Sequence, residues 1–94
     1  MQIKSAIVTG GSLGIGAAIA LKLGEYGANV AINYRKHKEE AEEVIKKVEA
    51  AGGKGLPVRA DVSSFSDAEQ MVETVKNTFG GLHILVNNAG INWD

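Results

Sequence analysis

The sequence predicts an α/β fold built on a parallel, doubly wound sheet in the order β-α-β-α-β-α-β. Three observations predict it. Short apolar runs alternate with helix-length amphipathic stretches along the chain. The runs AIV, NVAINY and ILV are nearly continuous in apolar character, as strands covered on both faces are. Glycines punctuate the joins, at Gly10 to Gly16, Gly27, Gly52-Gly53 and Gly80-Gly81. Strands joined through helices in this way pair in parallel by right-handed crossovers.

Each element has its own signal. Ile3 to Val8 is a β-rich run closed by glycines, the first strand. Ile15 to Tyr26 is rich in Ala, Ile and Leu; it sets Ile15, Ile19 and Leu23 on one helical face and stops at Gly27. Asn29 to Tyr34 is the second strand. In the next helix Ala41, Val44, Ile45 and Val48 fall at i, i+3, i+4 and i+7, and Gly52-Gly53 ends it. The run KHKEEAEE reads as its solvated face, with i,i+4 pairs. Leu56 to Ala60 is the third strand. It carries Pro57, which cannot donate to a ladder, so this strand belongs at a sheet edge and the order is 3-2-1-4. Ser66 and Glu69 have capping-box spacing. Behind them Ala68, Met71, Val72, Val75 and Phe79 form an apolar stripe closed by Gly80-Gly81. His83 to Val86 is the fourth strand and the opposite edge. In such a sheet the first two helices cover one face and the third covers the other.

Composition bounds the function. The 94 residues make one domain at most. A net charge of −1, from 10 basic and 11 acidic residues, leaves no electrostatic footprint for nucleic acid or an anionic membrane. No apolar stretch approaches the roughly 20 residues of a spanning helix. The start, MQIKSAIVTGG, has no basic segment followed by a long apolar run. With no cysteine there is no disulfide framework and no thiolate metal site, which fits a cytoplasmic setting. His37 and His83 share no ligand spacing with each other or with a carboxylate cluster, so no metal is expected.

The chemistry concentrates in TGGSLGIG, Thr9 to Gly16. A glycine-rich turn between a first parallel strand and a helix exposes backbone N–H groups at the positive end of the helix dipole, where a phosphate binds. The spacing of Gly10, Gly14 and Gly16 is G-x-x-x-G-x-G rather than the common G-x-G-x-x-G, but the strand before and helix after are both present. The plainer reading is a tight strand-to-helix turn with no ligand; the context favours a nucleotide.

Thr9-Gly10-x-x-x-Gly14-Ile15-Gly16, then Asp61-Val62 after the third strand, then Asn87-Asn88-Ala89-Gly90 after the fourth, resembles the short-chain dehydrogenase/reductase family. The resemblance spans essentially the whole chain and covers the N-terminal part of a usual member, a Rossmann dinucleotide-binding segment. The NYR and NNAGI stretches look most like the β-ketoacyl-acyl-carrier-protein reductase branch, with glucose-type sugar dehydrogenases similar. The resemblance implies phosphate binding by Gly10, Ser12, Leu13, Gly14, Ile15 and Gly16. It implies adenine binding by Asp61 and the Val62 backbone, with Asn87, Asn88, Ala89 and Gly90 along the cofactor's ribose side and bracing the central sheet. The plainer reading of Asp61 is an N-cap for the following helix, compatible with the first.

The end of the second strand selects the nucleotide. A carboxylate there favours NAD and an arginine accommodates the 2′-phosphate of NADP. Here Asn33, Tyr34 and Arg35 occupy it. NADP(H) is therefore the expected cofactor and NAD(H) the alternative. Many NADP-preferring relatives carry a basic residue just before the second glycine, where this chain has Leu13.

Family members catalyse with a downstream Ser and a Tyr-x-x-x-Lys pair. Tyr34 and Lys38 match that string, but they lie by the adenosine half, across the switch point from the nicotinamide. No catalytic residue is assigned. Residues 1–94 are expected to be a dinucleotide-binding segment truncated before the catalytic half, or a standalone non-catalytic nucleotide-binding module. The bare edge at the fourth strand and the half-covered sheet point to a fragment of a longer enzyme or, for a standalone protein, to a homo-oligomer or a covering partner. A 3-oxoacyl thioester is the expected substrate only in a full-length enzyme.

Overall fold

The computed structural model describes residues 4–88. The elements are β1 (Ser5–Thr9), α1 (Gly14–Glu25), β2 (Asn29–Tyr34), α2 (Lys38–Ala50), β3 (Lys54–Arg59), α3 (Phe65–Phe79) and β4 (Ile84–Asn87). They form a four-stranded sheet in the order β3-β2-β1-β4, as the alternation and Pro57 predict. Every neighbouring pair is parallel, with Ile7 beside Ala31 and Leu85, and Ile32 beside Pro57.

The place of Pro57 follows from the ladder. Lys54 N–H donates to Ala28 O at 3.3 Å and Ala60 N–H to Tyr34 O at 3.0 Å, so even-numbered residues of β3 turn their N–H groups toward β2. Pro57 falls on the outward row, where its missing N–H leaves a gap that discourages pairing by another chain. β4, the other edge, carries neither a proline nor a charge, and its Leu85 is 55% exposed.

The core has two halves, one on each face. Val8, Val30 and Ile32 pack beneath α1 and α2 with Ala20, Val44 and Val48. Ile7 and Ala31, one residue out of step and so on the other face, pack with Met71 and Val75 of α3. The expected stripe of α2 is buried in full.

The stripe of α1 is not the expected one. Ile15 is 66% exposed, and the buried residues are Gly16, Ala20 and Gly24, at i, i+4 and i+8. A Cβ at Gly24 would lie 2.9 Å from Val48 Cγ1 and 3.2 Å from Val48 Cα, so small residues are what let α1 lie against α2. Ile19 and Leu23 flank that seam, partly buried.

Other boundaries shift for identifiable reasons. β1 and β4 each run one residue further than expected because Thr9 pairs with Asn87. Ile3 lies outside the described residues. β3 begins at Lys54 because that N–H already reaches Ala28 O. α3 is capped by Ser64, not by a Ser66–Glu69 box or by Asp61: Ser64 Oγ accepts from Asp67 N–H at 3.4 Å. The Asp67 carboxylate accepts from Asp61 N–H at 3.0 Å, which fastens the helix start to the end of β3.

Ser5 Oγ is buried with no hydrogen-bond partner among the described residues. Ser5→Ala is expected to raise stability by about 1 kcal/mol, because it removes a desolvated hydroxyl that makes no bond. Urea denaturation measures this, and a loss of stability would show that the hydroxyl is paired in solution.

Candidate functional site

The carboxyl ends of β1, β2 and β3 meet around a cleft of about 540 Å³. Its walls are the turn after β1 with Gly10, Ser12 and Leu13, the end of β2 with Asn33, Tyr34 and Arg35, and the end of β3 with Asp61 and Val62. Open parallel sheets bind ligands at this end. Three separated stretches picked from the sequence are thus brought together. Ala89 and Gly90 lie outside the described residues.

The turn after β1 is shaped by two left-handed glycines, Gly10 at φ 62° and Gly14 at φ 54°. Gly16 has a different role. A Cβ there would lie 2.4 Å from Gly10 O and 2.7 Å from Asn88 Nδ2, so its missing side chain lets α1 rest on the turn. The first turn of α1 has no side-chain cap and no acidic residue. In contrast, α2 carries Glu39 and Glu40 there and α3 carries Asp67. Among the described residues no side chain caps the N–H groups of Gly14, Ile15 and Gly16, which form a positive helix end without an internal anion. This is the charge pattern that a phosphate needs.

Polar side chains brace the turn from behind. Asn33 is 3% exposed and faces inward. Its Oδ1 accepts from Gly10 N–H at 3.3 Å, and its Nδ2 donates to Val58 O at 3.3 Å and Ala60 O at 3.1 Å. The two carbonyls can only accept, which fixes the orientation of the amide. Asn33 therefore ties the ends of β1, β2 and β3 together, although the sequence suggests a ligand contact. The Thr9 hydroxyl accepts from Asn88 N–H at 2.9 Å and lies 3.2 Å from both Val86 O and Asn87 Oδ1, to which it donates. Asn88 Nδ2 donates to Gly10 O at 3.2 Å. Asn87 and Asn88 thus fasten β4 to the turn. Asn88 belongs to the stretch expected to brace the sheet, and its bonds to Thr9 and Gly10 are such a brace.

Tyr34 is 9% exposed and belongs to the core beneath α2. It gives the cleft a wall. Lys36, His37 and Ser63 also line the cleft. For the first two the only sequence signal is adjacency to Arg35; for Ser63 it is the Asp-x-Ser spacing of an Asx turn. Asp61 Oδ1 accepts from Ser63 N–H at 3.0 Å and from Ser63 Oγ at 2.6 Å. The hydroxyl bond first and the backbone bond second hold the Asp61 carboxyl below its usual range, with Arg35 and Arg59 adding to the effect. Arg35 Nη1 lies 3.9 Å from Asp61 Oδ2.

Comparison with known proteins agrees with this geometry. The family model for short chain dehydrogenases matches residues 4–94. The chain is 47% identical over 88 residues to the short-chain dehydrogenase/reductase homolog YusS of Bacillus subtilis, covering 94% of this chain and 81% of that one. It is 47% identical over 91 residues to the 3-oxoacyl-[acyl-carrier-protein] reductase FabG of Staphylococcus aureus, covering 97% of this chain but only 37% of that protein. A solved dehydrogenase/reductase from Sinorhizobium meliloti is similar at a TM-score of 0.89 and 44% identity, covering 94% of this chain and 35% of that one. The NADH-dependent reductase A1-R′ complexed with NAD is similar at a TM-score of 0.83 and 31% identity, covering 92% of this chain and 36% of that one. With the parallel sheet, the glycine turn and a match that runs from residue 4 to residue 94, this chain belongs to the short chain dehydrogenase family.

Proposed function

We propose that this chain is the NADP(H)-binding segment of a short-chain reductase which, as a whole enzyme, delivers hydride to the carbonyl of 3-oxoacyl thioesters on acyl-carrier protein. The carrying observation is the uncapped, acid-free first turn of α1 beside a cleft that also presents Arg35 and Asp61. The N–H groups of Gly14, Ile15 and Gly16 hold the pyrophosphate, with Ser12 and Leu13 in the turn. Asp61 accepts from the adenine amino group beside the Val62 backbone, and Asn87, Ala89 and Gly90 border the ribose. Arg35 binds the 2′-phosphate, and no carboxylate stands at the end of β2 to repel it. Asn33 and Tyr34 keep that end of β2 in place. The nicotinamide supplies the hydride when bound.

The Staphylococcus relative supports the thioester substrate and a place in fatty acid biosynthesis. The reductase complexed with NAD supports a dinucleotide and keeps NAD(H) as the second cofactor. On this reading the chain alone does not turn over substrate, since it presents no Tyr-x-x-x-Lys pair at the nicotinamide. The Bacillus relative, itself short because this chain covers 81% of it, favours a second reading: a standalone module that binds a nucleotide without catalysis. No helix among the described residues is long and apolar enough to cross a membrane. We place the protein in the cytoplasm from its lack of cysteine, and on the standalone reading as a homo-oligomer that covers the exposed Leu85 of β4.

Calorimetric titration tests the reading. NADPH is expected to bind about ten- to a hundredfold tighter than NADH, the value of one charge-assisted bond. Arg35→Ala is expected to erase that preference and leave NADH affinity unchanged. No heat with either nucleotide on folded protein would sink the proposal. Oxidation of NADPH by the chain with an acetoacetyl thioester would overturn the assignment of catalysis to the rest of the enzyme.

A further inference from the structure

Arg35 already faces an anion. Its guanidinium lies 3.9 Å from the Asp61 carboxylate, and the two residues belong to different walls of the cleft. The carboxylate is the fixed partner: Ser63 holds it through two hydrogen bonds, at 3.0 and 2.6 Å, and Asp67 holds the Asp61 N–H at 3.0 Å. Arg35 stands on the turn after β2 with its side chain 57% exposed. Lys36 and His37 share that turn and line the cleft. Arg59, at the end of β3, adds a weaker favourable field at Asp61.

We propose that Asp61 is a specificity-determining residue that acts through Arg35: its carboxylate competes with a sugar phosphate for the guanidinium, and so narrows the preference for phosphorylated over unphosphorylated dinucleotide. This rests on the nucleotide reading above and deepens it. A phosphate carries up to two negative charges and must share Arg35 with an anion that Ser63 holds by two hydrogen bonds. A ribose hydroxyl carries none and makes no such claim on the guanidinium. The effect belongs to the ratio of two affinities, so a contact of Asp61 with the base common to both nucleotides cancels from it.

The test is calorimetric titration with NADPH and NADH, at low and high salt, of the wild type, Asp61→Asn, Arg35→Ala and the double variant. Asparagine keeps an acceptor oxygen for Ser63, and Asp61→Ser serves as a second neutral variant. The expected result is a rise of about three- to tenfold in the NADPH-to-NADH affinity ratio for Asp61→Asn at low salt, smaller at high salt. Asp61→Ser raises the ratio likewise, and the rise vanishes in the Arg35→Ala background. An unchanged ratio, with both nucleotides weakened together, overturns the proposal and leaves the nucleotide reading standing. A rise that persists without Arg35 also overturns it. A wild type that binds neither nucleotide removes both.

Discussion

Gly16→Ala is expected to destabilise the chain by about 3 kcal/mol, the reverse of what helix propensity alone predicts. Gly16 lies in the first turn of α1 and its φ is not positive, so alanine fits the backbone there. Propensity would favour the change by about 1 kcal/mol. Space decides against it. The new Cβ would meet Gly10 O at 2.4 Å and Asn88 Nδ2 at 2.7 Å, and a backbone oxygen cannot move aside as a side-chain tip can. Moving α1 off the turn costs up to about 3 kcal/mol in strain. Losing the Asn88 bond to Gly10 O costs about 1 kcal/mol more. Gly14→Ala is the control. Nothing lies within 4 Å of its added Cβ, so only the left-handed φ of 54° is penalised, by about 1–2 kcal/mol. Urea denaturation followed by circular dichroism ranks the two. A Gly16→Ala variant as stable as the wild type would show that α1 does not rest on the turn.

This prediction marks where the sequence is legible. The positions of Gly10, Gly14 and Gly16 are visible as a pattern, and the strand order follows from alternation and from Pro57. The stripe of α2 is legible because Ala41, Val44, Ile45 and Val48 are the apolar residues of an otherwise charged helix. α1 misleads because its sequence is apolar on several faces. Hydropathy ranks Ile15, Ile19 and Leu23 first, while close approach to Val48 and to the turn selects Gly16, Ala20 and Gly24. The cap of α3 misleads for a related reason: Ser64 and Ser66 both suit an N-cap, and the choice is made by Asp67 reaching back to Asp61 N–H. The cleft residues are legible because each lies at or just after the carboxyl end of a strand. Sequence does not show which of them face the ligand and which hold the walls, because those partners lie far apart along the chain. Asn33 is the clearest case, with partners on two other strand ends.

Replacing Asn33 should therefore break the site from behind rather than alter the nucleotide it selects. Asn33→Ala removes one acceptor and two donors, the bonds to Gly10 N–H, Val58 O and Ala60 O. At about 1 kcal/mol each, the expected loss is about 3 kcal/mol, a large share of the stability of a small domain. Asn33→Asp is the sharper test, because a carboxylate at the end of the second strand is the usual means of favouring NAD. If residue 33 faced the ribose, Asn33→Asp would shift preference toward NADH with little change in stability. The structure predicts otherwise. Asp keeps the acceptor for Gly10 N–H but turns a carboxylate oxygen onto two carbonyls, in a site where Asn33 is 3% exposed. Burial and the facing carbonyls raise the folded-state pKa of such an acid above its unfolded value of about 3.9. Between those two values the folded state binds more protons than the unfolded one, so stability falls as pH rises. Asn33→Asp should consequently be least stable relative to wild type at neutral pH and recover toward it as the pH drops to about 4, where the protonated acid again donates to one carbonyl. Urea midpoints for wild type and variant across that range read the effect. A deficit that is flat with pH, together with a gain in NADH preference, would place the side chain in the cleft and not in the brace.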